Sequence, residues 1–275
     1  MSAIEYPPGS RVPEVAAIRA RGVKVGYRGA VVWHDATFEV GRGEFVAVIG
    51  PNGAGKTTLF RLLLGIQRPM AGSLEVFGAP PRRGSPRIGY VPQRHTIDND
   101  THVAADVLVH LGVSGTHLGP EFSIGAARRA TAEALAAVGA SELGSKPLGA
   151  MSGGELQRIF LAEAISGRPE MLLLDEPLSN LDMRRTRELV ELVHGLVRSR
   201  RVTTLLVAHD INPLIECLDR VIYIANGRVA NGPPEEVLTS ASLSELYGVP
   251  VEVLHDSRGN IVIVGGENPH EKGDA

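Results

Sequence analysis

The stretch Gly50-Pro51-Asn52-Gly53-Ala54-Gly55-Lys56-Thr57-Thr58 sets glycines, one lysine and two hydroxyls at a spacing suited to holding a polyphosphate. Gly53 and Gly55 let the main chain approach phosphate oxygens with no Cβ in the way. Successive N–H groups in such a loop point inward, and the helix that starts there adds partial positive charge. Lys56 is placed to reach the β and γ phosphates, and the Thr57 hydroxyl to ligate Mg2+. The flanks supply the needed context: Glu44 to Ile49 is a short, buried-strand run, and Leu59 to Leu64 continues as a helix former. A merely glycine-rich connection is the plain alternative, and strand, turn and helix start together argue against it.

Further residue types complete the chemistry. Met171 to Leu174 is apolar and ends on Asp175-Glu176, where one carboxylate could hold Mg2+ through water and the next could polarise an attacking water. His209 follows another apolar strand, Thr203 to Ala208, so its imidazole is expected at the same sheet edge, facing a γ phosphate. Gln93, in Tyr90-Val-Pro-Gln93, leaves a third strand, where an amide could coordinate Mg2+. Met151-Ser-Gly-Gly-Glu155 opens a helix with a capping serine and two glycines, a second anion-binding terminus. A chain that already has a phosphate loop points with a second one to another molecule's nucleotide.

The elements that must position these groups follow in order. Residues 1–14 read as a flexible leader, and Ala16 to Tyr27 with Val31 to Val40 as paired strands about Arg28-Gly29. Ser73 to Phe77 and Arg87 to Val91 are further strands. Helical texture fills His95 to Gly167, with helices at Ala104 to Leu111, Ala126 to Val138 and Ser152 to Ile165, an inserted helical subdomain. Asp182 to Arg201 is a long amphipathic helix, and another helix is expected near Ile211 to Cys217. Alternating strands and helices argue a parallel α/β sheet with nucleotide at the strand C-termini. Arg220 to Ala225 and Arg228 to Ala230 pair about Asn226-Gly227, a tail hairpin surrounds Ser257 to Asn260, and the last ten residues read as disordered.

Composition bounds the class. The chain has 275 residues, 43% hydrophobic and 21% charged, with a net charge of −3, so nothing marks a nucleic-acid or anionic-lipid surface. One cysteine, Cys217, rules out an internal disulfide and reads as a buried structural thiol in a reducing compartment. No signal sequence and no apolar run of ~20 residues is present, so a soluble, cytoplasmic protein is expected.

Taken together, Gly50 to Thr57, Gln93, Met151 to Glu155, Asp175-Glu176, Ser179-Asn-Leu-Asp182 and His209 resemble the ATP-binding subunits of ABC transporters in order and spacing, across about residues 16–250. The resemblance implies a RecA-like P-loop NTPase core of α/β class with an antiparallel β subdomain and an inserted α-helical subdomain at about 95–167. It divides the chain into a leader, a cassette over 15–250 and a C-terminal extension over 251–275. It implies a homodimer clasping two ATP molecules with Mg2+, each between the phosphate loop of one copy and Ser152, Gly153 and Gly154 of the other. It implies that Tyr27 stacks on adenine, Gln93 senses Mg2+ and the membrane partner, Glu176 is the catalytic carboxylate, Asp182 crosses the interface and His209 meets the γ phosphate. The implied partners are integral membrane permease subunits and, through them, an extracytoplasmic substrate-binding protein, with the chain peripheral on the inner face of the membrane.

Met151, Glu155 and Asn180 depart from the usual leucine, glutamine and alanine, which bears on affinity across the interface. Tyr90 to Asp100 looks like the manganese, zinc and iron importer branch, whereas Leu246 to Leu254 also resembles siderophore, haem and cobalamin importers. His95, Asp98, Asp100 and His102 lack a tight ligand spacing and read as a solvated loop. A soluble ABC ATPase of translation or DNA repair and a small-molecule kinase are the rival functions. The first usually brings tandem cassettes or a long coiled coil, and the second has no use for Ser152 to Gly154.

Overall fold

The computed structural model describes residues 16–27, 30–93, 97–114, 124–179, 181–257 and 259–265. The expected leader, the turn at residues 28–29, His95, Asn180 and the last ten residues lie outside them. In chain order the elements are β1 (Ile18–Tyr27), β2 (Ala30–Val40), β3 (Phe45–Ile49), α1 (Lys56–Leu63), β4 (Ala71–Val76), β5 (Ile88–Val91), α2 (Ala105–Ser114) and α3 (Ile124–Ala137). Then come α4 (Gly153–Ser166), β6 (Met171–Leu174), α5 (Met183–Arg200), β7 (Thr203–Val207), β8 (Arg220–Ala225), β9 (Arg228–Gly232), α6 (Pro234–Val237), α7 (Ser240–Tyr247), β10 (Val251–His255) and β11 (Ile261–Gly265).

A six-stranded sheet runs β5-β6-β7-β3-β8-β9, parallel except for β9. Its inner strands are apolar on both faces because both are covered. Val46 and Val48 of β3 face a core shared with α1 and the antiparallel sheet β2-β1-β4, where Trp33 and Phe60 are buried. Phe45, Ala47 and Ile49 face the opposite core, built with α4 and α5. Leu189, Val193 and Leu196 form the buried stripe of α5, at the expected helical spacing. The β8–β9 turn is Asn226-Gly227, with φ of 48° and 73°, the left-handed pair that a tight two-residue hairpin needs.

At the rim of the sheet where β5 and β6 begin, the two sheets are tied together. The guanidinium carbons of Arg42 and Arg87 lie 4.8 and 4.2 Å from the Phe77 ring centroid. Glu170 receives Arg87 at 2.5 and 2.9 Å and Arg42 at 3.2 Å.

Two expectations are corrected. Ile211 to Cys217 is no α-helix; only a 3-10 turn at Ile215–Cys217 forms. Asp210 Oδ1 accepts from Asn212 N at 2.9 Å, and Pro213 biases Asn212 away from helix, so the apolar spacing there serves a turn. Cys217, in that turn, is half-buried rather than enclosed. The tail hairpin β10–β11 is present, and Asn212 fastens it to the core through Ile261 N and O at 2.7 and 3.0 Å. Among the described residues no helix is long and apolar enough to cross a membrane.

Candidate functional site

Four neighbouring parallel strands, β5-β6-β7-β3, end at one rim and deliver the polar groups there. The loop after β3 is shaped by its glycines. Gly50 has φ 143°, and a Cβ on it would come within 2.0 Å of Ile224 O. Gly55 has φ 105°, and a Cβ there would meet Trp33 Nε1 at 2.5 Å. Trp33 Nε1 in turn donates to Ala54 O at 3.0 Å, so the buried indole carries the loop from below. Gly53 has φ 77°, and a Cβ on it would find nothing within 4 Å, which leaves its main chain accessible. Lys56 Nζ donates to Gly50 O at 2.8 Å and Pro51 O at 3.0 Å, and burial pushes its pKa down against the pull of Glu176 and Asp175. Thr57 is exposed on the open side of the helix start, whereas Thr58 turns into the core.

Asp175, at the exit of β6, is buried. Burial and then the neighbouring Glu176 raise its carboxyl above the ordinary value, and the Tyr90 hydroxyl donates to Oδ2 at 3.4 Å. The same burial, with Asp175 alongside, pushes the Tyr90 hydroxyl up to about 12. Glu176 has φ 51°, a left-handed backbone that a side chain adopts at a cost of ~1 kcal/mol or more. Its Oε2 accepts from Gln93 Nε2 at 2.5 Å and lies 2.9 Å from His209 Nε2. One carboxylate oxygen from β6 thus gathers the side chains leaving β5 and β7. Thr57 and Asp175 offer a hydroxyl and a desolvated carboxylate, a hard oxygen set that fits Mg2+, because a cation would relieve the cost of the buried charge.

The sequence profile of the ABC transporter family matches residues 33–179, from the tryptophan beneath the loop to the serine beyond Glu176. The chain belongs to the ABC transporter family. The zinc import ATP-binding protein ZnuC of Pseudomonas syringae pv. syringae (strain B728a) is 35% identical over 257 residues, 90% of this chain and 92% of that protein. ZnuC of Pseudomonas aeruginosa PAO1 is 35% identical over 260 residues, 91% of this chain and 90% of that protein. Among solved structures, an inward-facing metal-chelate type ABC transporter superposes with a TM-score of 0.77 at 25% identity, covering 91% of this chain and 98% of that one. The cbiO1 protein of Clostridium perfringens, part of the ABC transporter complex cbiONQ, gives 0.73 at 25% identity, with 84% and 94% covered.

Of the other residues singled out in the sequence, Ser152 to Gly154 and Asp182 lie at the starts of α4 and α5, and Tyr27 at the end of β1. Ser152 caps α4: its Oγ accepts from Glu155 N at 3.4 Å, while Glu155 Oε2 accepts from Ser152 N at 2.7 Å, a reciprocal capping box. Glycines follow at the first two helical positions. A Cβ on Gly153 would meet nothing within 4 Å, and one on Gly154 only Arg185 atoms at 3.9 Å. Among the described residues, the hydrogen bonds of Ser152 stay within the first turn of α4. Asp182 caps α5 by accepting from Arg185 N at 2.8 Å, with its side chain exposed. Tyr27, at the end of β1, accepts from Arg61 Nη1 at 2.9 Å, and that guanidinium lies 5.7 Å from the ring centroid.

Trp33, Arg61 and the Tyr90 hydroxyl take part in the site without having been singled out in the sequence. Tyr90 stands beside Gln93 in the chain, a signal that was available. Trp33 had no local signal, since its partner is 21 residues away.

Proposed function

We propose that this chain is the ATP-hydrolysing motor of an importer for a divalent transition metal ion, with zinc first among manganese, zinc and iron. Membership of the ABC family supports the ATPase, and the zinc import relatives at 35% identity support the cargo. Gly153 and Gly154 carry the mechanism. Two glycines weaken a helix start, and neither a positive φ nor a close neighbour demands them. A nucleotide on a second copy supplies the reason, because its γ phosphate would need the bare N–H groups of that turn.

In this reading residues 15–250 form the cassette, with the helical subdomain at about 95–167, and two copies clasp two ATP molecules head to tail. Gly50 to Thr58 cradles the phosphates, Tyr27 stacks on adenine, and Ser152, Gly153 and Gly154 of the other copy close the γ phosphate, with Asp182 crossing the interface. Mg2+, held by Thr57 and Asp175 with Gln93 beside them, supplies charge neutralisation on the phosphates when bound. Glu176 takes the proton of the attacking water, and His209 contacts the γ phosphate. Hydrolysis removes the group that bridges the copies, so ATP favours the closed pair and its loss the open one. Gln93 and the helical subdomain pass the movement to integral membrane permease subunits, which face an extracytoplasmic binding protein. The chain sits in the cytoplasm against the inner face of the membrane and needs no nucleic acid.

A chelate cargo, as in siderophore, haem or cobalamin import, is the second reading, favoured by the likeness to the metal-chelate type transporter. The deciding experiment purifies the chain with its permease from membranes and measures ATPase activity with binding proteins carrying zinc, manganese, iron or a chelate. Zinc-dependent stimulation is expected; stimulation by a chelate alone selects the second reading, and recovery with ribosomes or DNA ends the transport assignment. Glu176→Gln should bind ATP, hydrolyse it ~100-fold more slowly and elute as an ATP-held dimer. Adding Ser152→Arg should abolish that dimer and keep single-chain binding; a dimer that persists argues against the shared site.

A further inference from the structure

A carboxylate in the turn at Met151 to Glu155 poses an electrostatic problem for the proposed shared site. Glu155 is the third residue of α4, at the end that would receive a triphosphate, and like charges repel there. The described residues contain the answer. Lys146 Nζ lies 2.7 Å from Glu155 Oε1, while Oε2 accepts from Ser152 N at 2.7 Å, so both oxygens are committed. The neighbouring arginines are engaged elsewhere: Arg158 with Glu188 at 3.2 Å, and Arg185 with Asp182 at 3.5 Å. Lys146 is also fixed through its main chain. Its N–H donates to Leu143 O at 3.0 Å, and its carbonyl accepts from Ala105 N, the first residue of α2, at 3.1 Å. Lys146 is therefore tied by its main chain to the start of α2 and by its ammonium to the turn at Met151 to Glu155.

We propose that Lys146 is a positioning residue of the shared nucleotide site, cancelling the charge of Glu155 and fixing Ser152 so that a triphosphate on a second copy can approach the turn. This rests on the reading of Ser152 to Gly154 as a site for the other copy's ATP. The carboxylate in turn keeps the Ser152 N–H occupied within the chain, so the hydroxyl hydrogen of Ser152 and the N–H groups of Gly153 and Gly154 are what the turn offers the phosphate. Lys146 supports that offer without touching the nucleotide. A pair that is a third exposed would otherwise contribute little to stability, so its effect belongs in the dimer and in turnover rather than in folding.

The test uses the full chain. Lys146→Met should leave the melting temperature and single-chain affinity for a fluorescent ATP analogue unchanged. It should lower ATPase turnover at saturating ATP about tenfold and, in the Glu176→Gln background, weaken the ATP-held dimer by a similar factor. Lys146→Arg should restore both readouts. The double variant Lys146→Met with Glu155→Gln should restore turnover to within about twofold of the wild type, because it removes the uncancelled charge while a glutamine still completes the capping box. No ion pair is rebuilt in that variant, so rescue separates charge cancellation from simple bracing. Wild-type turnover in Lys146→Met, or a double variant as impaired as the single one, overturns the proposal. If Ser152→Arg hydrolyses ATP normally, the shared-site reading itself has failed, whereas loss in Ser152→Arg beside a neutral Lys146→Met overturns only the role of Lys146.

Discussion

The loop at Gly50 to Thr58 and the turn at Met151 to Glu155 are both glycine-bearing helix starts, yet their glycines answer to different masters. Gly50 and Gly55 sit at φ 143° and 105° with neighbours at 2.0 and 2.5 Å from a would-be Cβ, so the fold of this one chain requires them. Gly153 and Gly154 have ordinary helical space around them and nothing nearer than 3.9 Å. Gly50 and Gly55 are thus explained by contacts inside the chain. Gly153 and Gly154 have no such reason inside the chain, and in the proposed function the nucleotide of another copy supplies it.

The largest effect expected from that contrast is at Gly55. Gly55→Ala should cost ~1–3 kcal/mol or more, through strain at φ 105° and collision with Trp33, and should remove nucleotide binding. Gly154→Ala should leave the melting temperature unchanged or gain up to ~1 kcal/mol from better helix propensity, keep single-chain ATP binding, and lose at least tenfold in hydrolysis. Calorimetry beside a turnover assay reads both; equal destabilisation by the two variants would erase the contrast.

A smaller effect is expected at Asp175. Burial raises its carboxyl above the ordinary value of 3.8, so the folded chain favours the protonated form and loses stability as pH rises through that folded value. Asp175→Asn should therefore melt higher than the wild type at neutral pH, with the gap closing as pH falls toward 4, while stabilisation by MgATP is lost. A variant that melts lower at every pH would mean that the carboxylate is structurally favourable as it stands.

Glu155 behaves with the opposite sign and should give the smallest effect. Lys146, and then the Ser152 N–H, hold its carboxyl down at about 2, against an ordinary 4.5. Its contribution is present above 4.5 and lost as pH falls toward 2. Hydrogen exchange of the Ser152 and Glu155 amides should accelerate across that window beyond the intrinsic pH trend, more in the wild type than in Glu155→Gln; identical profiles would exclude the contribution.

Much of this site was legible because its signals are local. A glycine-rich loop between strand and helix, a strand ending in two acids and a serine-capped helix are each written in consecutive residues, so the local structure around Lys56, Asp175 and Ser152 follows the pattern. That the main sheet is a parallel α/β one could be anticipated from the alternation of strands and helices, whereas its order β5-β6-β7-β3-β8-β9 could not. The hydrogen bond from Gln93 to Glu176 spans 83 residues and depends on β5 pairing with β6, which no short window contains. Trp33 under the loop and Lys146 beside Glu155 are likewise products of the completed fold. Ile211 to Cys217 misled for a physical reason: apolar spacing in an Asp-Ile-Asn-Pro stretch serves a turn closed by Asp210, and periodicity cannot distinguish that from one helical turn.

The stacked Arg42, Phe77 and Arg87 with Glu170 sit at the rim opposite the nucleotide groups and join the antiparallel sheet to the parallel one. Such a rivet resists shear between the two layers. In the proposed mechanism the antiparallel sheet would then travel as ballast with the strands whose ends carry the phosphate loop.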